Sequence, residues 1–580
     1  MSVSSETRLR IIIMMAVLSA GTLALVAQLL RWQLVESQSL LAEADRQHST
    51  HEPKPIPPRR GGIYDRDGFL LAAEGVSYDI SAAPHQVMDR LAVADRLAPL
   101  LGKSRNDIVG LLGQDAPWIL LAPRVSCEVG EAVLAMRIPG IQVDQFPRRV
   151  YPAGSLAAHV LGFVDSNNTG YYGVEGRYDE QLKGVPGSQQ AERDPFKYAI
   201  PIALTEYYPP TNGSDLFLTI RRTAQFVVDR ELKQGIKEFG AESGSVLVLE
   251  PRTGAILALA NWPDYDPNTF TQTAEINPER FTDPAVSEQY EPGSVFKIIT
   301  IAAGLDSGVI TPESTVYDSG AIEVGGLVIY DWDQLAHGNV DATTVLAKSL
   351  NVGAAQIAAM MGPDRFYNYV RRFGFGTPTG VDLASECAGV VRTPDDADWY
   401  ESYLGTNSFG QGIAVTPLQM VSAVAAVAND GLLMKPYIVD RVVEDGRVIP
   451  TKPQSVRWAV STQTARTLTR MLSTAVAQET TLAQVPGYLV AGKSGTAQIP
   501  VHGGYHLTHT VASFAGYLPA DDPRMVILVI INKPAASPWG GEVAAPVFAR
   551  IAQQLVALFD VPPDEVRQQF AAQSVSRVVQ

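Results

Sequence analysis

Two cysteines in 580 residues are too few to staple a fold. Cys127 and Cys387 lie far apart, which excludes the disulfide framework of a small secreted scaffold, and neither falls in a metal-binding spacing. A lone Cys127–Cys387 bridge would need an oxidising compartment, so the fold is expected to rest on its apolar core. Histidine is scarce too, with 8 residues. His337, His502, His506 and His509 follow no metal-ligand pattern, so no metal and no cofactor are expected. No Lys/Arg-rich run occurs, and a formal net charge of −15 excludes the basic footprint of a nucleic-acid binder. Internal repeats are absent as well.

What is present begins with Ile11 to Leu30, which carries no charged residue and matches the roughly 20 residues needed to cross a bilayer. The run is longer than a signal-peptide core and has no small-residue exit site before Arg31-Trp32, so it is expected to stay as an anchor. Arg8 and Arg10 precede it, which predicts a cytoplasmic N-terminus (residues 1–10), a span over 11–32 and an extracytoplasmic body. A polar stretch from Glu36 to His51, then Pro53, Pro55, Pro57 and Pro58, predicts a stem over 33–58 that ends as an extended connector.

From Arg59 to Asp215 short apolar runs alternate with turn signals, as expected of a mixed α+β pedestal with no nucleophile–base pair. The pattern changes after Asn212-Gly213. Leu216 to Ile220 reads as a strand, Thr223 to Phe239 as an amphipathic helix, and Ser245 to Ala260 as a β-hairpin turning at Pro251 to Gly254. Helical patterns fill Thr343 to Phe373 and Thr416 to Asn429. Strands return at Val511 to Leu518 and Met525 to Asn532, followed by a helix over about Ala544 to Phe559. Strands at both ends of a helical insertion predict one sheet whose first and last segments pair, flanked by helices, over residues 216–560. The last residues, 561–580, read as a polar tail.

Three motifs carry the chemistry. Ser294 and Lys297 stand one helical turn apart after Pro292-Gly293, a nucleophile beside a base, although a chain of this length yields roughly one Ser-x-x-Lys by chance. Ser349-Leu-Asn351 offers a hydroxyl that can relay a proton and an amide that both donates and accepts. Gly492-Lys-Ser-Gly-Thr-Ala497 offers a fixed positive charge at Lys493, hydroxyls at Ser494 and Thr496, and at Gly495 room for another backbone. That last set suits a carboxylate. The carboxylates of Asp331-Trp-Asp333 are expected on a solvated loop.

The order Ser-x-x-Lys, Ser-x-Asn, Lys-[Ser/Thr]-Gly resembles the penicillin-recognising serine enzymes. Arg60-Gly-Gly-Ile-Tyr-Asp-Arg-Asp-Gly68, Tyr151 to His159, Val248 to Gly254 and Gln289 to Ser294 extend the resemblance to the class B penicillin-binding proteins. Ser408 to Gln419 is similar to division-type members, whereas Gly492 to Gln498 also occurs in elongation-type ones. The resemblance implies a peptidoglycan D,D-transpeptidase with Ser294 as nucleophile, Lys297 as base and Ser349 as relay. Asn351, Lys493, Ser494, Gly495 and Thr496 would bind substrate, and the N–H groups of Ser294 and Thr496 would form the oxyanion hole. It also implies stem peptides ending in D-Ala-D-Ala, β-lactams as covalent inhibitors and, because no glycosyltransferase motif is present, a partner polymerase of the shape, elongation, division and sporulation group among other cell-wall proteins. A D,D-carboxypeptidase, a β-lactamase and a non-catalytic scaffold or β-lactam sensor are the competing readings.

Overall fold

The computed structural model describes residues 5–39, 54–191, 205–501 and 504–570. Most of the expected stem, the end of the expected tail, and His502 lie outside them. Contacts divide the chain into two units, Met1–Arg59 with Gly184–Gly213, and Arg60–Lys183 with Ser214–Gln580.

In the first unit, Leu9–Leu34 is long and apolar enough to cross a membrane. Lys54–Ile56, expected as an unpaired connector, pairs instead with Gly187–Ala191, which pairs in turn with Thr205–Tyr208. Pro55 is tolerated there because the strand lies at the edge of its three-stranded sheet.

The second unit holds two larger sheets. In one, Leu70–Ala82 is flanked by Ile141–Val150 and Ile119–Val125, and Ile63–Tyr64 links it through Asp215–Leu218 to Val439–Glu444. Beside this sheet Arg60, Arg149 and Glu175 are all buried. Glu175 accepts from both guanidiniums at 2.6 Å, and Asp179 takes the rest of Arg60 at 2.8 Å, so the buried charges are paired.

The other sheet has the order Ile256–Trp262, Ser243–Leu249, Met525–Asn532, Gly504–Leu518, Ala491–Val501, antiparallel throughout. The hairpin strand Ser243–Leu249 pairs with Met525–Asn532 as expected, whereas the first expected strand, from Leu216, lies in the pedestal sheet between Ile63–Tyr64 and Val439–Glu444. The central strands of the antiparallel sheet are apolar at nearly every position because both faces are covered. Val246, Val248, Ile527, Val529 and Ile531 enter one core with helices Arg222–Phe239 and Gly540–Leu558. Leu247, Leu249, Val526, Leu528 and Ile530 enter the other, with Lys297–Asp306, Pro417–Ala428 and Thr462–Glu479. The start of the expected tail packs against this domain: Tyr488 donates to the Val561 carbonyl at 2.6 Å and Asp564 accepts from Leu489 N–H at 2.6 Å.

Candidate active site

Ser294 lies in the short 3₁₀ turn Gly293–Phe296, from which the helix Lys297–Asp306 continues. Gly293 has φ +56°, where a β-carbon would stand 2.9 Å from the Thr496 carbonyl oxygen. Only glycine lets the nucleophile turn lie against the edge strand this closely. Gly495 does the same from the strand side, since a β-carbon there would meet Val295 Cγ2 at 2.7 Å and the Pro292 carbonyl at 3.0 Å. The Lys-Ser-Gly strand is therefore held to the Ser-x-x-Lys turn through backbone.

The expected helix from Thr343 to Phe373 is broken into Ala342–Ala347, Asn351–Met361 and Pro363–Arg372. Ser349 stands in the first break with φ +61°, a left-handed conformation that costs a serine about 1–2 kcal/mol. That geometry turns both oxygens of Ser349 toward Lys297. The lysine Nζ donates to the Ser349 carbonyl at 2.6 Å and lies 3.3 Å from its Oγ. It also donates to Asn351 Oδ1 at 2.8 Å and stands 3.2 Å from Ser294 Oγ. Asn351 Nδ2 is fixed by the Tyr330 carbonyl at 3.0 Å.

Lys297 is fully buried, and its pKa falls well below the ordinary lysine value, first through burial and second through the nearby Lys493. A neutral amine has two N–H donors and one lone pair. The Ser349 carbonyl and Asn351 can take the donors, leaving the lone pair for the Ser294 hydroxyl. Lys493, read from sequence as a fixed charge, is also buried, and burial pushes it down to about 7. Its Nζ donates to the Ser494 carbonyl at 2.9 Å.

A cleft of about 640 Å³ opens over this group, lined by Ser294, Ser349, Asn351, Lys493, Ser494 and Thr496. Lys297 and Gly495 stand behind its wall. Trp332 and Trp539 meet edge to face across it, with centroids 5.6 Å apart. Thr496 Oγ1 accepts from Gly540 N–H at 3.0 Å, tying the strand to the start of the helix Gly540–Leu558. The structure thus brings together all eight residues named from the sequence.

Two carboxylates were misread. Asp331 is buried, 2 % exposed, and its Oδ1 accepts from the N–H groups of Asn351 and Val352, capping a helix whose adjoining Leu350 has no side-chain cap. Asp333 is also largely covered and accepts from Leu335 N–H at 3.0 Å, with His337 Nε2 at 3.1 Å. An Asp directly after an apolar strand was the available signal; its partner, 20 positions on, was not. Glu291 escaped notice as well. It accepts from Gly412 N–H at 3.0 Å, and burial pushes its pKa up to about 6.

If the left-handed turn is strained by its side chain, Ser349→Gly should be more stable than Ser349→Ala by about 1 kcal/mol. Both should lose the hydroxyl's contribution to rate. Equal unfolding midpoints would mean that the turn stores no such strain.

Comparison with known proteins gives the same assignment. Residues 244–553 match the family described as the penicillin binding protein transpeptidase domain, and residues 55–218 the penicillin-binding protein dimerisation domain. The chain is 33% identical to the penicillin-binding protein PbpB of Mycobacterium tuberculosis, over 94% of this chain and 84% of that one. It is 30% identical to the peptidoglycan D,D-transpeptidase FtsI of Escherichia coli, over 92% and 89%. A solved structure of penicillin binding protein 3 from M. tuberculosis complexed with aztreonam superposes with a TM-score of 0.69 at 30% identity, covering 88% of this chain and 98% of that one. With its pedestal, its serine–lysine cleft and these relatives taken together, the chain belongs to the class B penicillin-binding proteins, as a serine-type transpeptidase.

Proposed function

We propose that this chain cross-links peptidoglycan stem peptides during septal wall synthesis. Ser294 Oγ attacks the carbonyl between the two terminal D-alanines as Lys297 Nζ takes its proton. The N–H groups of Ser294 and Thr496 receive the developing oxyanion, an arrangement worth roughly 3 kcal/mol per donor. An extended residue directs its N–H and C=O to the same side, and the Thr496 carbonyl faces Gly293, which supports this role for its N–H. The tetrahedral adduct then collapses: the C–N bond breaks, Ser349 relays the proton to the leaving nitrogen, and D-alanine departs. An amine from a second stem attacks the ester, forms the cross-link and returns the proton to Ser294. Asn351 holds the substrate amide, while Lys493, Ser494 and Thr496 bind the terminal carboxylate. A β-lactam carbonyl would acylate the same serine.

The observation that carries this reading is the position of one buried amine, Lys297, 3.2 Å from Ser294 Oγ and anchored on Ser349 and Asn351. The solved relative with aztreonam and the relatives named as transpeptidases support it. The basic residues before the apolar helix favour a cytoplasmic N-terminus and an outer catalytic domain. A multipass glycan polymerase is the expected partner, contacting the anchor helix and the pedestal.

The test supplies purified full-length protein with a stem peptide ending in D-Ala-D-Ala and a second stem bearing a free amine. Released D-alanine together with a cross-linked dimer is expected. D-Alanine without the dimer would make the chain a carboxypeptidase, and neither product would sink the proposal.

The two lysines also set a pH dependence. Lys297 must be neutral, so acylation falls as pH drops through its depressed pKa. Lys493 must be charged to hold a carboxylate, and it loses its proton as pH rises through about 7. The kcat/KM for a carboxylate-ended donor is expected to be bell-shaped. A donor amidated at that end should lose the alkaline limb, and retention of the limb would remove Lys493 from carboxylate binding.

A further inference from the structure

Asp318 and Asp331 are the most deeply placed carboxylates near the site, 0% and 2% exposed. One turn holds them side by side. Asp331 N–H donates to the Gly320 carbonyl at 3.3 Å, and Gly320 N–H donates to Asp318 Oδ1 at 2.8 Å. The outer oxygen of Asp331 is occupied by Asn351 and Val352 N–H. The inner oxygens, Asp318 Oδ2 and Asp331 Oδ2, are both buried with no hydrogen-bond partner among the described residues, and the same Gly320 turn holds both carboxylates. Two ionised carboxylates have nothing to donate. One proton between them satisfies both.

We infer that Asp318 and Asp331 share one proton between their inner oxygens, and that this pair positions Asn351 and, through Asn351 Oδ1, Lys297. The inference rests on the acyl-transfer reading of Ser294 and adds a support that the three motifs do not contain. The pair keeps a single negative charge at the start of the helix Asn351–Met361, where the helix dipole favours an anion. Asp331 is the carboxylate that pulls the Lys297 pKa upward, against burial and Lys493. A second buried negative charge there would favour the protonated form of Lys297 and weaken it as a base. Burial is the largest cause that raises Asp331, to about 6, and the adjoining Asp318 adds to it.

A shared proton has a signature that ordinary packing lacks. In Asp318→Asn, the amide oxygen can keep the Gly320 N–H while its NH₂ takes the proton's place toward Asp331. In Asp331→Asn the same exchange runs the other way. The double variant sets two NH₂ groups against each other, and flipping either turns its NH₂ onto a backbone N–H.

Full-length protein in detergent is used for both measurements. Labelled-penicillin acylation should stay within roughly threefold of the unmodified protein in each single variant and fall roughly 100-fold in the double. A double variant no slower than the product of the singles would overturn the pairing. Infrared difference spectra of unmodified protein minus Asp318→Asn, taken about one pH unit below the Asp331 value of about 6, should show the C=O stretch of a protonated carboxylic acid. Its absence overturns the shared proton even if the double variant fails to fold. If the unmodified protein took up no penicillin, the acyl-transfer reading would fail while the infrared band still decided the pairing.

Discussion

Ser294→Ala is expected to take up no labelled penicillin, and Lys297→Met to take it up roughly 10²- to 10⁴-fold more slowly, the range lost when a positioned base is removed. Alanine has no atom that can form the ester. Among the described residues Ser294 Oγ bonds to Lys297 alone, at 3.2 Å, so its loss should leave the unfolding midpoint almost unchanged. Methionine nearly preserves the buried volume of Lys297 but has no lone pair that can accept a proton at neutral pH. Lys493 cannot stand in, because its Nζ is held on the Ser494 carbonyl at 2.9 Å across the cleft wall. Mass spectrometry of the acylated protein and its rate of formation read both variants. Unchanged labelling of Ser294→Ala would remove it as nucleophile, and Lys297→Met at the unmodified rate would move the base elsewhere.

The readable parts of the molecule were those whose cause is local. The hairpin Ser243–Leu249 and Ile256–Trp262 announced itself because a strand covered on both faces is apolar at successive positions and its turn carries Pro251 and Gly254. The site residues were readable because three short motifs recur in one order, each needing a particular chemistry at a particular spacing. The break at Ser349 was not, since Thr343 to Val352 contains neither glycine nor proline; tertiary contacts with Lys297 hold that left-handed turn. The charge state of Lys493 was hidden for a related reason. Burial, not residue type, brings it to about 7, and burial depends on strands that pair only after folding. Asp331 and the Arg60–Glu175–Arg149 cluster are long-range in the same sense, with partners 20 to 115 positions away.

Gly495→Ala is expected to slow acylation by roughly 100-fold, the cost of misplacing a reacting group by about 1 Å. The added methyl would meet three neighbours, at 2.6 Å from Ser513 Oγ, 2.7 Å from Val295 Cγ2 and 3.0 Å from the Pro292 carbonyl. The serine hydroxyl can rotate away. Val295 cannot, being β-branched and fully buried, and Pro292 offers backbone rather than a side chain. Relief must come from separating the strand Ala491–Val501 from the turn Gly293–Phe296. That motion draws Thr496 N–H away from Ser294 N–H and opens the proposed oxyanion hole, while Lys297, Ser349 and Asn351 keep their mutual contacts. The variant should therefore stay folded, losing about 1–3 kcal/mol of stability to overpacking, and its loss should fall on the acylation step rather than on reversible binding. Stopped-flow acylation resolves the two. A normal acylation constant with weakened binding would place Gly495 in substrate capture instead, and leave the junction of strand and turn without a part in the chemistry.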